Sequence, residues 1–138
     1  MSPMKMCMVK IRIRAPLWPT EDPRAVEEAI RNIFPDAVIR VGEGYVEGVS
    51  ESLENLRELL RRERIRDAVR EALRRCVRGD RIVFEFNKQA ATVGRFSLGV
   101  GNVPLGDVEV EISGADPEEI IEYLTGKEKA KEKRSDYV

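Results

Sequence analysis

The sequence of 138 residues contains no histidine, and this absence removes the side chain on which many catalytic and metal sites depend. Ser-His and Cys-His nucleophilic arrangements are excluded, and zinc or iron sites lose their usual ligand. The only cysteines, Cys7 and Cys76, are far apart and match no metal-ligand spacing. We therefore expect no metal, no cofactor and no enzymatic activity.

Long apolar segments are also missing from the chain. No run approaches the roughly 20 apolar residues that cross a bilayer, and the N-terminal stretch lacks the apolar core and cleavage site of a signal peptide. With 42% hydrophobic and 36% charged residues, the composition is typical of one globular domain with a heavily ionised surface. These features predict a cytoplasmic protein with no membrane partner.

Aromatic residues are scarce, at 6% of the chain. Phe84, Phe86 and Phe96 fall at positions expected in the core, and the single tryptophan, Trp18, is interpreted as a lid on the core and not as a stacking platform. Base stacking on aromatic side chains is therefore not favoured. If the protein binds RNA, recognition of a structured RNA by its shape and backbone is the better expectation.

The net charge of −1 argues by itself against nucleic acid, but the charge is unevenly distributed. Between Leu53 and Arg95 the chain has 12 Lys and Arg against 7 Asp and Glu, whereas the remainder carries −6. Phosphate binding depends on the local potential more than on the total charge. Of the 24 basic residues 17 are Arg, which is also typical of thermophilic ion-pair networks.

The hydrophobic periodicity predicts alternating strands and helices. Strands are expected at 9–13, 37–41, 45–49, 82–86, 92–98 and 108–112, and helices at 23–33, 53–60, 65–76 and from 117 to about 124. The helical pattern of 53–76 breaks near Arg62–Arg64. Glu109 and Glu111 are expected to lie opposite the cations Lys10, Arg12 and Arg14 on one sheet face.

Several strands are amphipathic, so the predicted fold class is α+β, with a single predominantly antiparallel sheet and helices packed on one face. Residues 1–126 are expected to form one domain, in which residues 1–8 either fray or extend the first strand. Residues 127–138 are rich in charge and read as a mobile tail.

The polar stretch Asn87–Arg95, which we call the corner, follows a hydrophobic strand and has two interpretations. Its amides, Lys88 and the small Ala90 and Ala91 are typical of a contact surface, but an ordinary hairpin connection uses similar residues. The role of the arginines in the helix at 65–76 also has two interpretations. Each acid of the row Glu63, Asp67 and Glu71 has an Arg three residues later, with which it can form an ion pair. A solvated, salt-bridged helix and a phosphate-facing helix both fit.

The first hypothesis is a non-catalytic RNA-binding protein that recognises structured RNA. Its candidate contacts are Arg61, Arg62, Arg64, Asn87, Lys88, Gln89, Thr92 and Arg95. The alternative is a protein-interaction or dimerisation module, in which the corner and the open sheet face meet a second copy or a subunit of an RNA-processing or ribosome-associated assembly.

Several segments resemble a small archaeal family without an established activity. They are PTEDP (19–23), NIFPDA (32–37), LRELLRRERIRDAVR (56–70), NKQAATVGR (87–95) and PLG (104–106). The resemblance covers about Val9 to Leu124 and implies a predicted RNA-binding or exosome-associated protein. It also implies a fold similar to the large-subunit ribosomal protein that binds the five-S RNA.

Overall fold

The computed structural model describes residues 9–98 and 107–126, which form six strands and five helices. The strands are β1 (Lys10–Pro16), β2 (Val38–Val41), β3 (Tyr45–Ser50), β4 (Val77–Arg78), β5 (Arg81–Asn87) and β6 (Asp107–Ser113). The helices are α1 (Pro23–Ile33), α2 (Glu54–Arg62), α3 (Arg66–Arg74), α4 (Lys88–Thr92) and α5 (Pro117–Thr125). The strands form one antiparallel sheet in the order β2-β3-β1-β6-β5-β4.

The core lies between one face of this sheet and the helices. In β1 the burial alternates strictly, so Ile11 and Ile13 are buried while their neighbours point to the opposite face. Phe34 at the end of α1 and Phe86 of β5 are fully buried, with ring centroids 6.4 Å apart. Each such side chain contributes roughly 1.5–3 kcal/mol by burial. The predicted α+β class is confirmed.

Local capping signals determine where the outer helices begin. The Asp22 carboxylate accepts a hydrogen bond from the amide of Arg24, and Pro23 occupies the first turn of α1. Asp116 and Pro117 repeat this arrangement at α5. The predicted break between α2 and α3 is also confirmed: Arg64 adopts a φ of 60°, a left-handed conformation that interrupts the helix.

Residues 92–98 do not form the predicted strand. Residues Lys88–Thr92 form the short helix α4, and only Leu98 bridges to Phe86 after it. The Asn87 side chain caps this helix by accepting a hydrogen bond from the Ala90 amide at 2.7 Å. Lys, Gln and Ala have good helix propensity, so a capped helix outcompetes the extended form.

The helix predicted at 65–76 ends earlier than expected. α3 stops at Arg74, and the next residues turn into a tight hairpin between β4 and β5 around Gly79, which has a φ of 66°. The spacing of apolar residues predicted a helix as far as Cys76, but the chain leaves the helix after Arg74. Local periodicity therefore overestimated this helix by two residues.

The sheet face away from the helices carries the charges predicted for it. Arg12 lies opposite Glu111, and Arg14 lies opposite Glu109, in the register between β1 and β6. This prediction is confirmed. The interpretation of Trp18 as a lid on the core is wrong, because the residue is 45% exposed and is not among the hydrophobic residues that pack against the core. The strand ends at Pro16, and the ring leaves the layer of the core with the following loop.

The predictions for residues 1–8 and for the tail 127–138, like the PLG segment at 104–106, lie outside the described residues. The domain boundary at residue 126 stays a prediction. Among residues 9–98 and 107–126, no helix has the length and hydrophobicity that a membrane span requires.

Candidate nucleic-acid interface

The break between α2 and α3 contacts the far end of the corner. The amide of Phe96 donates a hydrogen bond to the Glu63 carboxylate at 3.4 Å, although the two residues are 33 positions apart. Glu63 lies between Arg62 and Arg64, and Phe96 directly follows Arg95. The contact therefore joins the break, which carries Arg62 and Arg64, to the end of the corner, which carries Arg95.

Arg62, Arg64 and Arg95, which we call the arginine patch, are exposed. Within the described ranges, their guanidinium groups make no hydrogen bond and no ion pair. Arg61 differs, because its guanidinium bonds both oxygens of Glu58, at 2.7 and 2.9 Å. This contact holds the pKa of Glu58 below its ordinary value of 4.5. Three of the four candidate arginines are thus available to an anion.

The arginines of α3 have partners that neither interpretation of the sequence predicted. Arg66 donates to the Gly126 carbonyl, Arg70 to the Thr125 hydroxyl, and Arg74 to the Glu118 carboxylate. The described residues contain none of the expected pairs between these arginines and the acids three positions earlier. The α3 arginines instead fasten this helix to α5, which leaves them poorly placed for phosphate.

Lys88 must be corrected as a candidate contact. Its side chain is 4% exposed, and its ammonium donates to the Pro16 carbonyl at 2.8 Å and to both Glu21 oxygens at 3.0 Å. A buried ammonium with these partners does not reach a phosphate on the surface. Because Lys88 is the first residue of α4, it ties the corner to the loop between β1 and α1.

The remaining corner residues divide between structural and exposed roles. Asn87 is half-buried and caps α4, and Thr92 donates its hydroxyl proton to the Gln89 carbonyl at 2.6 Å. The Gln89 side chain is exposed, as is the neighbouring Val93, at 71%. Gln89 and Arg95 are therefore accessible to a ligand, whereas the Asn87 side chain is bonded to the backbone of α4.

Two connections in this region were missed by sequence reasoning. Glu63 was counted only as a partner for Arg66, yet it joins the break to the corner. Asn32 of α1 donates to the Ala91 carbonyl at 2.8 Å and so fixes α4 from the other side. No local pattern predicts either contact, because both join residues that are distant in the sequence.

The described residues contain no cluster of three or more metal-ligating side chains. Each ion pair near the patch lies at the surface, where such pairs contribute little to stability. The exposed guanidinium groups of the arginine patch are suited to binding anions. The buried pair of Lys88 and Glu21 holds the corner in place.

Comparison with known proteins gives a consistent relationship. The sequence model of a family described as RNA binding matches residues 10–113. The chain is 36% identical to a UPF0201 protein of Methanothermobacter thermautotrophicus over 120 residues, 85% of this chain and 91% of that one. It is 39% identical over 129 residues to a UPF0201 protein of Sulfurisphaera tokodaii, covering 87% and 89%.

Solved structures agree with these relatives. The UPF0201 protein from Methanococcus jannaschii superposes with a TM-score of 0.79 at 34% identity, covering 87% of this chain and 95% of that one. A second uncharacterized UPF0201 structure gives 0.79 at 35% identity, with 86% and 94% covered. The chain therefore belongs to the family whose sequence model is described as RNA binding, and its archaeal relatives are UPF0201 proteins.

Proposed function

We propose that this protein binds structured RNA without catalysing a reaction, through the arginine patch beside the corner. The Glu63–Phe96 contact supports the proposal, because it joins the break that carries Arg62 and Arg64 to the residue that follows Arg95. Guanidinium groups bind phosphate oxygens in a bidentate geometry, so the patch suits an RNA backbone. Gln89 adds an exposed amide beside it for ribose hydroxyls or base edges.

A salt titration tests this proposal. With three phosphate contacts, the logarithm of the association constant should fall against the logarithm of salt concentration with a slope of about −2 to −3. The measurement is the fluorescence anisotropy of a labelled hairpin RNA at several salt concentrations. Binding that does not depend on salt, or no binding at low salt, would refute the proposal.

The family resemblance implies an RNA-processing assembly such as the exosome as the setting for this binding. It also implies the likeness to the ribosomal protein that binds the five-S RNA. Both stay predictions, as does the cytoplasmic location. Copurification of the full chain with its host's RNA-processing complexes tests whether it belongs to such an assembly.

A second candidate function is dimerisation through the open sheet face. Val38 and Val49 are 76% and 53% exposed and lie opposite each other between β2 and β3. On the same face, cations of β1 lie beside Glu109 and Glu111 of β6. Because this face carries charges of both signs, we propose that a second copy packs on it with cations opposite anions.

Sedimentation equilibrium of the wild type and of a Val49→Asp variant distinguishes the two functions. A dimer that the substitution dissociates, without any loss of RNA affinity, would support the sheet face as a second interface. A monomer at every concentration would eliminate it.

A further inference from the structure

A cavity of about 620 Å³ lies beside the loop between β1 and α1, outside the arginine patch. Trp18 forms one wall with the prolines at positions 16, 19 and 23, and the turn between β2 and β3 forms the other. In this turn, Gly42 leaves room for the ring of Tyr45, and Gly44 has a φ of 84°. We call this cavity the Trp18 pocket.

One hydrogen bond joins the two walls of the pocket, and another fixes the loop that carries Trp18. The Leu17 amide donates to the Gly44 carbonyl at 3.0 Å, and the Trp18 amide donates to the Glu21 carboxylate at 3.0 Å. Proline fixes the backbone on either side of Trp18. A rigid, partly apolar cavity of this size is typical of a ligand site that exists before its ligand binds.

The base of the pocket is the buried ion pair described above. Glu21 lines the cavity, and Lys88 neutralises it from beneath while also bonding the Pro16 carbonyl. Lys88, the first residue of α4, thus holds the wall that carries Trp18. Lys88, which supports the pocket, begins α4, and Arg95 of the arginine patch follows the end of this helix by three residues.

The charges of the pocket select a neutral ring over a phosphate. Glu21 is neutralised, but Glu43 lines the cavity as an exposed carboxylate without an ion pair among the described residues. This carboxylate repels phosphate and accepts hydrogen bonds from ring N–H and amino groups. Close by, the Arg14 guanidinium lies 4.5 Å from the Tyr45 ring centroid, on the sheet side.

We propose that the Trp18 pocket binds one unpaired nucleobase of the RNA, stacked on the indole ring. This inference rests on the RNA binding proposed above and names the feature that the protein reads in a structured RNA: a bulged or looped nucleotide. The paired backbone contacts the arginine patch, and the adjacent unpaired base enters the pocket. The exposed indole thus has the role of stacking platform that its sequence position did not suggest.

Trp18 is the only tryptophan of the chain, so its fluorescence reports directly on the pocket. The probes are a hairpin RNA with one bulged purine and the same hairpin fully paired. The bulged RNA should quench the fluorescence, whereas the paired RNA should bind without quenching. In Trp18→Ala, affinity for the bulged hairpin should fall between about 5-fold and about 150-fold, and affinity for the paired hairpin should not change.

Two control variants accompany this substitution. Trp18→Phe retains a smaller aromatic surface and should lose less affinity than Trp18→Ala. Val93→Ala removes an exposed apolar side chain of the corner outside the pocket and should leave the affinity for both hairpins unchanged. Thermal melts of each variant establish that it folds.

The outcomes separate this inference from the proposed function. If labelled RNA binds but neither quenching nor the Trp18→Ala variant distinguishes the hairpins, the pocket inference is overturned and RNA binding stands. If neither hairpin binds, both proposals fail. Quenching by a proline-rich peptide but by no RNA would overturn the inference in favour of a protein ligand.

Discussion

The Lys88 ammonium lies 3.0 Å from both carboxylate oxygens of Glu21, a residue 67 positions away in the sequence. Only 4% of the lysine side chain and 11% of the glutamate side chain are exposed. The pair joins the corner to the loop between β1 and α1, which carries Trp18. Arg95 of the arginine patch lies in the corner, and Trp18 lines the pocket, so the pair connects the two surfaces. Two surfaces proposed to contact RNA therefore depend on one buried contact.

Replacing Lys88 by Met should destabilise the protein by about 3–5 kcal/mol, because the Glu21 carboxylate is then buried without its partner. The double variant Lys88→Met with Glu21→Gln should lose less than the sum of the two single substitutions. Urea unfolding, monitored by circular dichroism, measures these free energies of unfolding.

The matched control is the exposed pair between Arg40 and Glu47, in which the Arg40 side chain is 73% exposed. Arg40→Ala should cost much less than Lys88→Met, since surface ion pairs contribute little to stability. If Lys88→Met costs no more than this control, the buried pair does not hold the corner.

The arginine patch predicts a specific loss of RNA affinity. Arg62→Ala and Arg95→Ala should each reduce the magnitude of the salt slope by about one unit and weaken every RNA to a similar extent. Arg75→Ala is the control, because Arg75 is also exposed but lies at the opposite end of α3 from the break. An equal effect of all three substitutions would indicate a diffuse attraction and not a patch.

The strand and cap positions were predictable because their signals are local. Alternation in β1 and the Asp-Pro starts of α1 and α5 involve neighbours within a few residues, and the structure agrees with each. Trp18 was misread although a local signal existed. The prolines on either side of it end the strand and turn the ring away from the sheet.

The candidate site was less predictable because its residues acquire their roles from distant partners. Lys88 looks like a surface cation until Glu21 approaches it, and the α3 arginines look locally paired until α5 packs beside them. A helix of five residues such as α4 is also too short for a periodic pattern. Only its Asn cap distinguishes it from a turn.

Arg64 allows stability and RNA binding to be separated. Its φ of 60° is left-handed, which costs a residue with a Cβ atom roughly 1–2 kcal/mol relative to glycine. Arg64→Gly should therefore be about 1 kcal/mol more stable than Arg64→Ala, while both variants lose the same RNA affinity. Urea unfolding and RNA anisotropy on the two variants measure this. Equal stabilities would show that the break is not strained.

The raised pKa of the Glu85 carboxyl predicts how the stability of the protein depends on pH. Burial raises the pKa of its carboxyl above the ordinary value of 4.5, and the nearby Asp107 and Glu109 raise it further. Glu109 lies directly opposite Glu85 between β5 and β6, and both carboxylate oxygens of Asp107 are buried with no hydrogen-bond partner among residues 9–98 and 107–126. Since the folded state holds this proton more tightly than the unfolded state, stability should fall as the pH rises from about 4.5 towards neutrality.

Glu85→Gln should remove this decline and stabilise the protein at pH 7 by roughly 0.2–1 kcal/mol, the range for opposed pairs across strands. Glu111→Gln is the matched control on the neighbouring strand, because Glu111 pairs with Arg81 and its loss should not stabilise. Urea unfolding at pH 5 and pH 7 measures both variants. A Glu85→Gln variant that is less stable than the wild type at pH 7 would contradict the unfavourable interaction of these carboxylates.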